Sequence, residues 1–354
     1  MATTRAADVA KRRLTIASRR LGTADPVQDL LGLLDRSFDL PLGDPRYGRN
    51  HLLPGRMPLE HSFSELASNA LRLDMEPLGP AASPIARQQE VSREMRRLVH
   101  SHYGREALHW FDERSEPFRG SRAAGAGRFG AWFGASYDDA GMQEAKAYYE
   151  LGANGIDDLP PNLQQAARVA MASLPGLIPI FMSVACGRQQ GAQRVYFYYP
   201  DELKLLALEP LMNRLGIGHQ LPALLTAVGL ILGGRFTLPE GSVVIALRDT
   251  SKGIEMKLEI IMPAVPDPPR QMHGLIQMHL SQRPDAQRAL QHWIQAMTPD
   301  EFATPGDISV VSLRVSPTVN GRLSLYFVPV GYDNPPSRQR RQQAVAADPY
   351  AVYA

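Results

Sequence analysis

Five times along the chain an apolar or mixed stretch is followed by a turn and then by a stretch of alternating polar and apolar residues. These second stretches span 71–76, 145–149, 193–198, 256–261 and 321–326. Successive side chains of a strand point to opposite faces. Each second strand therefore has a polar face: Arg72/Asp74/Glu76, Lys146/Tyr148, Arg194/Tyr196/Tyr198, Lys257/Glu259 and Arg322/Ser324/Tyr326. Its other face is wholly or mostly apolar, as in Leu71/Leu73/Met75 or Leu258/Ile260. The turns at 138–141, 187–191, 249–253 and 317–321 carry the Gly, Asp, Asn and Ser that tight connections need. Helical periodicity marks the longer connections at about 84–113, 158–174, 200–232 and 270–297. The third is predicted to hold two helices, broken near Gly216-Ile217-Gly218.

Hairpins imply antiparallel pairing, and the helices between them must cover the apolar strand faces. Closing the sheet would remove its exposed edges and gather the polar side chains in one interior. The expected fold is α+β, with about ten antiparallel strands in five hairpins around a polar lumen, surrounded by helices. Residues 1–50 read as an N-terminal helical segment packed on the barrel, with Leu30, Leu31, Leu33 and Leu34 on its packing face. Residues 51–332 read as a single barrel domain. Residues 333–354, rich in Pro, Arg and Gln without apolar periodicity, read as a flexible C-terminal tail.

Bulk properties narrow the partners. A chain of 354 residues with 44% hydrophobic and 21% charged side chains can bury a substantial core. A net charge of +2 argues for neither a nucleic-acid nor a membrane partner. One cysteine, Cys186, excludes an intramolecular disulfide and a cysteine-based metal site, and its apolar surroundings predict a buried thiol. The longest apolar candidate, 221–232, falls short of the ~18 residues a membrane helix needs. The Arg-rich start has no apolar segment behind it and is not read as a secretory signal, so the expected location is the cytoplasm.

Each second strand carries one cation at the same relative place: Arg72, Lys146, Arg194, Lys257 and Arg322. Converging Arg and Lys donors suit a diphosphate, which rewards bidentate, charge-assisted contacts. Tyr148, Tyr196, Tyr198 and Tyr326 share those faces, and an aromatic ring presents its negative face to a cation. Such a wall suits a reaction that develops an allylic carbocation. The sequence has no aspartate-rich DDxxD motif, and no His or Cys cluster with metal-ligand spacing. It also has no Walker A loop, and Gly125-Ala126-Gly127, which with Gly130 matches the spacing G-x-G-x-x-G, is too weak a signal to read as a dinucleotide site. No cofactor or metal is therefore expected, and the protein's own cations are expected to activate a diphosphate.

The segment Pro58-Leu59-Glu60-His61-Ser62, followed by Arg72-Leu73-Asp74-Met75-Glu76-Pro77, resembles the P-x-E-x-S and R-x-x-x-E-P signature of dimethylallyltryptophan synthase-type enzymes. These are indole prenyltransferases with the ABBA barrel, built of repeated α-β-β-α units. The later strands resemble that family's K-x-Y (Lys146, Tyr148), its R-x-K-x-Y (Arg194, Tyr196, Tyr198) and its terminal Tyr strand (Tyr326). The likeness spans about 58–330, and the compact length is closer to the bacterial branch. It implies transfer of a dimethylallyl or longer group from its diphosphate to an indole or tryptophan-derived acceptor. It implies that Glu60 accepts the indole N–H. Arg72, Lys146 and Arg194 would bind diphosphate, with Lys257 and Arg322 on strands contributing to that site. Tyr148, Tyr198 and Tyr326 would shield the cation.

The departures are specific. Tyr196 stands where the family has a second Lys, which reassigns one diphosphate contact. The strand 130–134 lacks the lysine that several members use for the final deprotonation, and its Trp132 is expected to wall the acceptor pocket. Glu259 stands beside Lys257, in reach of a cation. Two alternatives stay open: a phenolic acceptor such as tyrosine, and a non-catalytic barrel that binds an isoprenoid. The oligomeric state is not legible.

Overall fold

A computed structural model of the chain describes residues 4–119, 127–151, 155–189 and 191–332. The expected tail at 333–354 lies outside the described residues. Helices α1 (Ala6–Leu21) and α2 (Val27–Ser37) pack together. Leu30, Leu33 and Leu34 of α2 are fully buried, whereas Leu31 is exposed. At 100° per residue, positions 30, 33 and 34 share a face and position 31 does not.

The first hairpin is β1 (Leu59–Ser64) and β2 (Leu71–Met75), followed by the long α3 (Pro84–Ser115). Ser83 caps α3 by accepting from the Ala86 N–H. Gly104 adopts φ 84°, ψ −172°, a backbone region open to glycine, and folds α3 into two arms joined by an Arg96–Asp112 ion pair. The next elements are β3 (Ala131–Asp138), β4 (Gly141–Glu150), α4 (Pro161–Ser173), β5 (Ile178–Gly187) and β6 (Gly191–Tyr199).

The third connection departs from expectation at its start. Residues 203–204 form a short strand, β7, which pairs with β8 (Thr237–Leu238), and a tight turn at 205–208 follows. Regular helix begins only at α5 (Glu209–Arg214), where Pro210 suits a first turn. The expected break at 216–218 separates α5 from α6 (Leu221–Ile231). The hairpin β9 (Val243–Thr250) and β10 (Gly253–Ile261) comes next. The fourth connection also splits in two, into α7 (Met272–His279) and α8 (Pro284–Met297), the second opening on a proline. Strands β11 (Gly306–Ser316) and β12 (Val319–Pro329) complete the chain of elements. The last turn is tighter than predicted, with Ser316 paired to Val319, so Gly321 lies inside β12 at φ 49°.

Ten of these strands close into an antiparallel barrel in the order β1-β12-β11-β10-β9-β6-β5-β4-β3-β2. The apolar core lies between the outer barrel face and the helices. Phe63 and Phe327, for example, meet Trp293 of α8 with ring centroids 6.2 and 5.0 Å apart. Helix α1 packs on α8 and β2. Cys186 is buried, and its thiol is pushed up to about 12 by desolvation. No helix among the described residues is long and apolar enough to cross a membrane.

Candidate active site

With one strand face committed to the helices, the alternate side chains fill the lumen in layers. At the hairpin-turn end lies a cavity of about 390 Å³. Seven cationic side chains line it: Arg72, Lys146, Arg188, Arg194, Arg248, Lys257 and Arg314. Four carboxylates pair with members of this set. Asp138 takes Arg188 at 2.6 Å, Glu144 takes Lys146 at 3.0 Å, and Glu259 takes Lys257 at 2.6 Å. Glu255 takes Arg194 at 2.5 Å and Arg248 at 2.8 Å, with Arg314 at 3.5 Å. Seven cations against four carboxylates leave a formal surplus of three positive charges, which matches in size the ~3 negative charges of an alkyl diphosphate.

The electrostatics follow from this crowding. Desolvation works to raise Glu255, but Arg194, Arg314 and Arg248 outweigh it and hold the carboxyl down at about 2. Desolvation is likewise outweighed at Glu144, which Lys146 and Arg72 hold at about 2. Lys257 goes the other way. Its burial lowers the ammonium to about 7, against the pull of Glu259 and with the repulsion of Arg194 and Arg314. Lys257 Nζ also donates to Tyr326 Oη at 3.1 Å.

Tyr148, Tyr196 and Tyr326 line the same cavity. The Lys146 ammonium stands 5.6 Å from the Tyr148 ring centroid and Lys257 5.5 Å from that of Tyr326, within cation–π range. Deeper in the lumen an aromatic cluster takes over. Phe181 stacks on Tyr196 at 4.3 Å and Phe129 on Trp132 at 4.0 Å, while Tyr198 is buried at the deep end. Trp132 Nε1 donates to Glu76 Oε2 at 3.2 Å, and Glu76 is anchored by Arg87 at 3.0 Å.

Glu60 lies two inward-facing positions deeper on β1 than Ser64, which lines the cavity. It is 6% exposed and accepts a hydrogen bond from Ser309 Oγ. Desolvation pushes its carboxyl up to about 8, against the Ser309 hydrogen bond and with the nearby charges of Asp74 and Glu259. Asp74, its register partner on β2, accepts from Tyr148 Oη at 3.1 Å.

The structure thus brings Arg72, Lys146, Arg194 and Lys257 to one cavity with three of the four expected tyrosines. Arg322 does not line it. Although Arg322 shares the lumen face, at the barrel mouth its guanidinium turns to Glu65, 2.6 Å away, and Arg283 meets the same carboxylate at 2.7 Å. Arg248 and Arg314 stand in the cluster instead; both lie on first strands, to which the alternation of the second strands does not point. A signal for Arg314 was present, since Ser312 and Arg314 alternate with apolar residues in β11. A wider groove of about 1170 Å³ runs between the arms of α3, but shares no residue with the lumen. Its Arg93, Arg96, Arg97 and Arg119 pair with Glu90, Glu94 and Asp112.

No family model and no curated protein matches the chain. Solved structures do. The chain is similar to 6-dimethylallyltryptophan synthase from Micromonospora olivasterospora in complex with DMASPP and Trp, at TM-score 0.74 and 17% identity, covering 94% of this chain and 100% of the other. It is similar to the apo prenyltransferase PriB, at TM-score 0.69 and 18% identity, covering 95% and 99%. 5-Dimethylallyltryptophan synthase from Streptomyces coelicolor matches at 0.68 and 17%, covering 94% and 99%. The chain therefore has the ABBA barrel fold of these enzymes along almost its whole length.

Proposed function

We propose that this protein is an aromatic prenyltransferase that moves a dimethylallyl or longer group from its diphosphate to an indole or tryptophan-derived acceptor. The observation that carries the reading is the ordering along the lumen. A cationic cavity sized for a diphosphate sits over tyrosine rings, and a buried carboxylate, Glu60, lies beyond them. Complexes of the similar Micromonospora olivasterospora protein with DMASPP and Trp support the same substrate classes.

In this account Arg72, Lys146, Arg194, Lys257, Arg248 and Arg314 hold the diphosphate and take up the charge that grows as the allylic C–O bond breaks. That assigns to side chains the neutralisation a metal ion would otherwise supply, so no cofactor is needed. Tyr148, Tyr196 and Tyr326, with Tyr198 behind them, offer their ring faces to the allyl cation and exclude water. Glu60 accepts the indole N–H, which raises ring nucleophilicity, and Trp132 walls the acceptor pocket. The arene attacks the cation and then loses a proton. Arg322 is left outside the diphosphate set. The protein is read as cytoplasmic, with small-molecule substrates only.

The test is a panel of tryptophan, indole-containing peptides and phenols, each with dimethylallyl diphosphate, read by mass spectrometry. Prenylated indoles are expected. Transfer to phenols alone would move the acceptor class, and donor binding without transfer to any of them would leave a binding barrel.

A further inference from the structure

Once the new carbon–carbon bond has formed, the ring carries a proton on a tetrahedral carbon, and some base must take it. Of the carboxylates that face or border the lumen among the described residues, all but one are committed, Glu76 to Arg87 and to the Trp132 N–H. Glu144, Glu255 and Glu259 are in ion pairs with the diphosphate-binding cations. Glu60 holds Ser309 and is assigned to the N–H. Asp74 is different. It carries one hydrogen bond, from Tyr148 Oη at 3.1 Å, and among the described residues no ion pair.

The backbone shows how this carboxylate is kept clear. Asp74 lies on β2 and Tyr148 on β4, with β3 between them. The β3 register partner of both Asp74 and Lys146 is Gly134. A Cβ at position 134 would clash with Asp74 Oδ1 and crowd the Tyr148 ring. The absent side chain lets Asp74 reach across β3 to the tyrosine. Asp74 is also the register partner of Glu60, which places the two carboxylates side by side on one strand pair. Asp74 is thereby within reach of the ring carbons of a planar acceptor whose N–H meets Glu60.

We propose that Asp74 is the base that restores aromaticity, a role that rests on the prenyl-transfer reading above. The proton on the alkylated ring carbon passes to an Asp74 carboxylate oxygen, and the C–H bonding pair returns to the ring π system. Asp74 is reset by handing a proton through the Tyr148 hydroxyl to the diphosphate released in the cavity that Tyr148 lines. Burial supports the role. Desolvation leaves this carboxyl more basic than an ordinary aspartate, although Lys146 and Arg72 oppose the shift.

The experiment compares wild type, Asp74→Asn and Tyr148→Phe in turnover of tryptophan and of ring-deuterated tryptophan with dimethylallyl diphosphate. Wild type is expected to show an isotope effect near unity, because proton loss follows the slower bond formation. Asp74→Asn is expected to lose kcat by about 100-fold or more and to develop a primary isotope effect, with donor affinity retained. Tyr148→Phe, which leaves Asp74 in place without its orienting hydroxyl, is expected to show a smaller loss with the same emerging isotope effect, and stands in if Asp74→Asn does not fold. A slow variant without an isotope effect has lost only structure, and this overturns the assignment while the prenyl-transfer reading stands. A wild-type protein that prenylates no indole overturns both.

Discussion

The Glu255 carboxylate on β10 lies 2.5 Å from the Arg194 guanidinium on β6, bridging across β9, whose Arg248 is the register partner of both. One anion thus holds three arginines of the diphosphate cavity in place. Glu255→Gln keeps the shape and removes the charge. Loss of one member of a buried pair costs about 3–5 kcal/mol, and less where water reaches Arg248, which is 26% exposed. A loss of ~2–4 kcal/mol is expected in denaturant unfolding. Inorganic diphosphate should raise the Tm of this variant more than that of wild type, because it replaces the missing anion. The sign with pH is fixed as well. Glu255 is held near 2 against an ordinary 4.5, so its contribution is full above 4.5 and lost as pH falls toward 2.

Glu60 behaves oppositely. With its carboxyl pushed up to about 8, the folded chain keeps this proton between 4.5 and 8. Stability is therefore full below 4.5 and falls as pH rises through 8, by at most ~1.4 kcal/mol per pH unit. Activity should move the other way, since the anion is the better acceptor for an N–H. From pH 6 to 8, kcat/KM for an indole is expected to rise by up to about tenfold per unit. In Glu60→Gln it should be low and flat.

The two arginines paired across β11 and β12 should separate cleanly. Arg314→Ala removes a cavity cation and is expected to weaken donor binding by about 10- to 100-fold, from ~1.5–3 kcal/mol for a charge-assisted hydrogen bond. Arg322→Ala breaks only the contact with Glu65 at the barrel mouth. It should leave donor affinity unchanged and cost at most ~1 kcal/mol of stability. Titration calorimetry with a non-hydrolysable donor analogue checks both.

Gly134→Ala introduces a methyl group that displaces Asp74 from Tyr148. Overpacking of this kind costs about 1–3 kcal/mol, and turnover should fall far more than donor affinity. Equal losses in the two would place the strain on the diphosphate cavity instead.

Much of this was legible in the sequence because strand alternation has period two and cannot be imitated by helices. The five polar faces, the closed barrel and the meeting of Arg72, Lys146, Arg194 and Lys257 follow from it. Alternation gives the face of a side chain but not where along the barrel axis it ends. Arg322 sits on the predicted face, yet a buried carboxylate in the tight turn after β1, Glu65, draws it to the mouth. Arg248 ends an apolar run and so reads as a strand terminus, although the β9 register sets it between Arg194 and Glu255. The reach of Asp74 to Tyr148, two strands away, depends on Gly134 in the strand between them, a relation only the folded register reveals.

The most direct measurement incubates the purified protein with dimethylallyl diphosphate and tryptophan in excess EDTA and weighs the product. Cations supplied by side chains predict a singly prenylated tryptophan, formed as fast as with magnesium present. No transfer, or transfer only when magnesium is restored, would contradict the account.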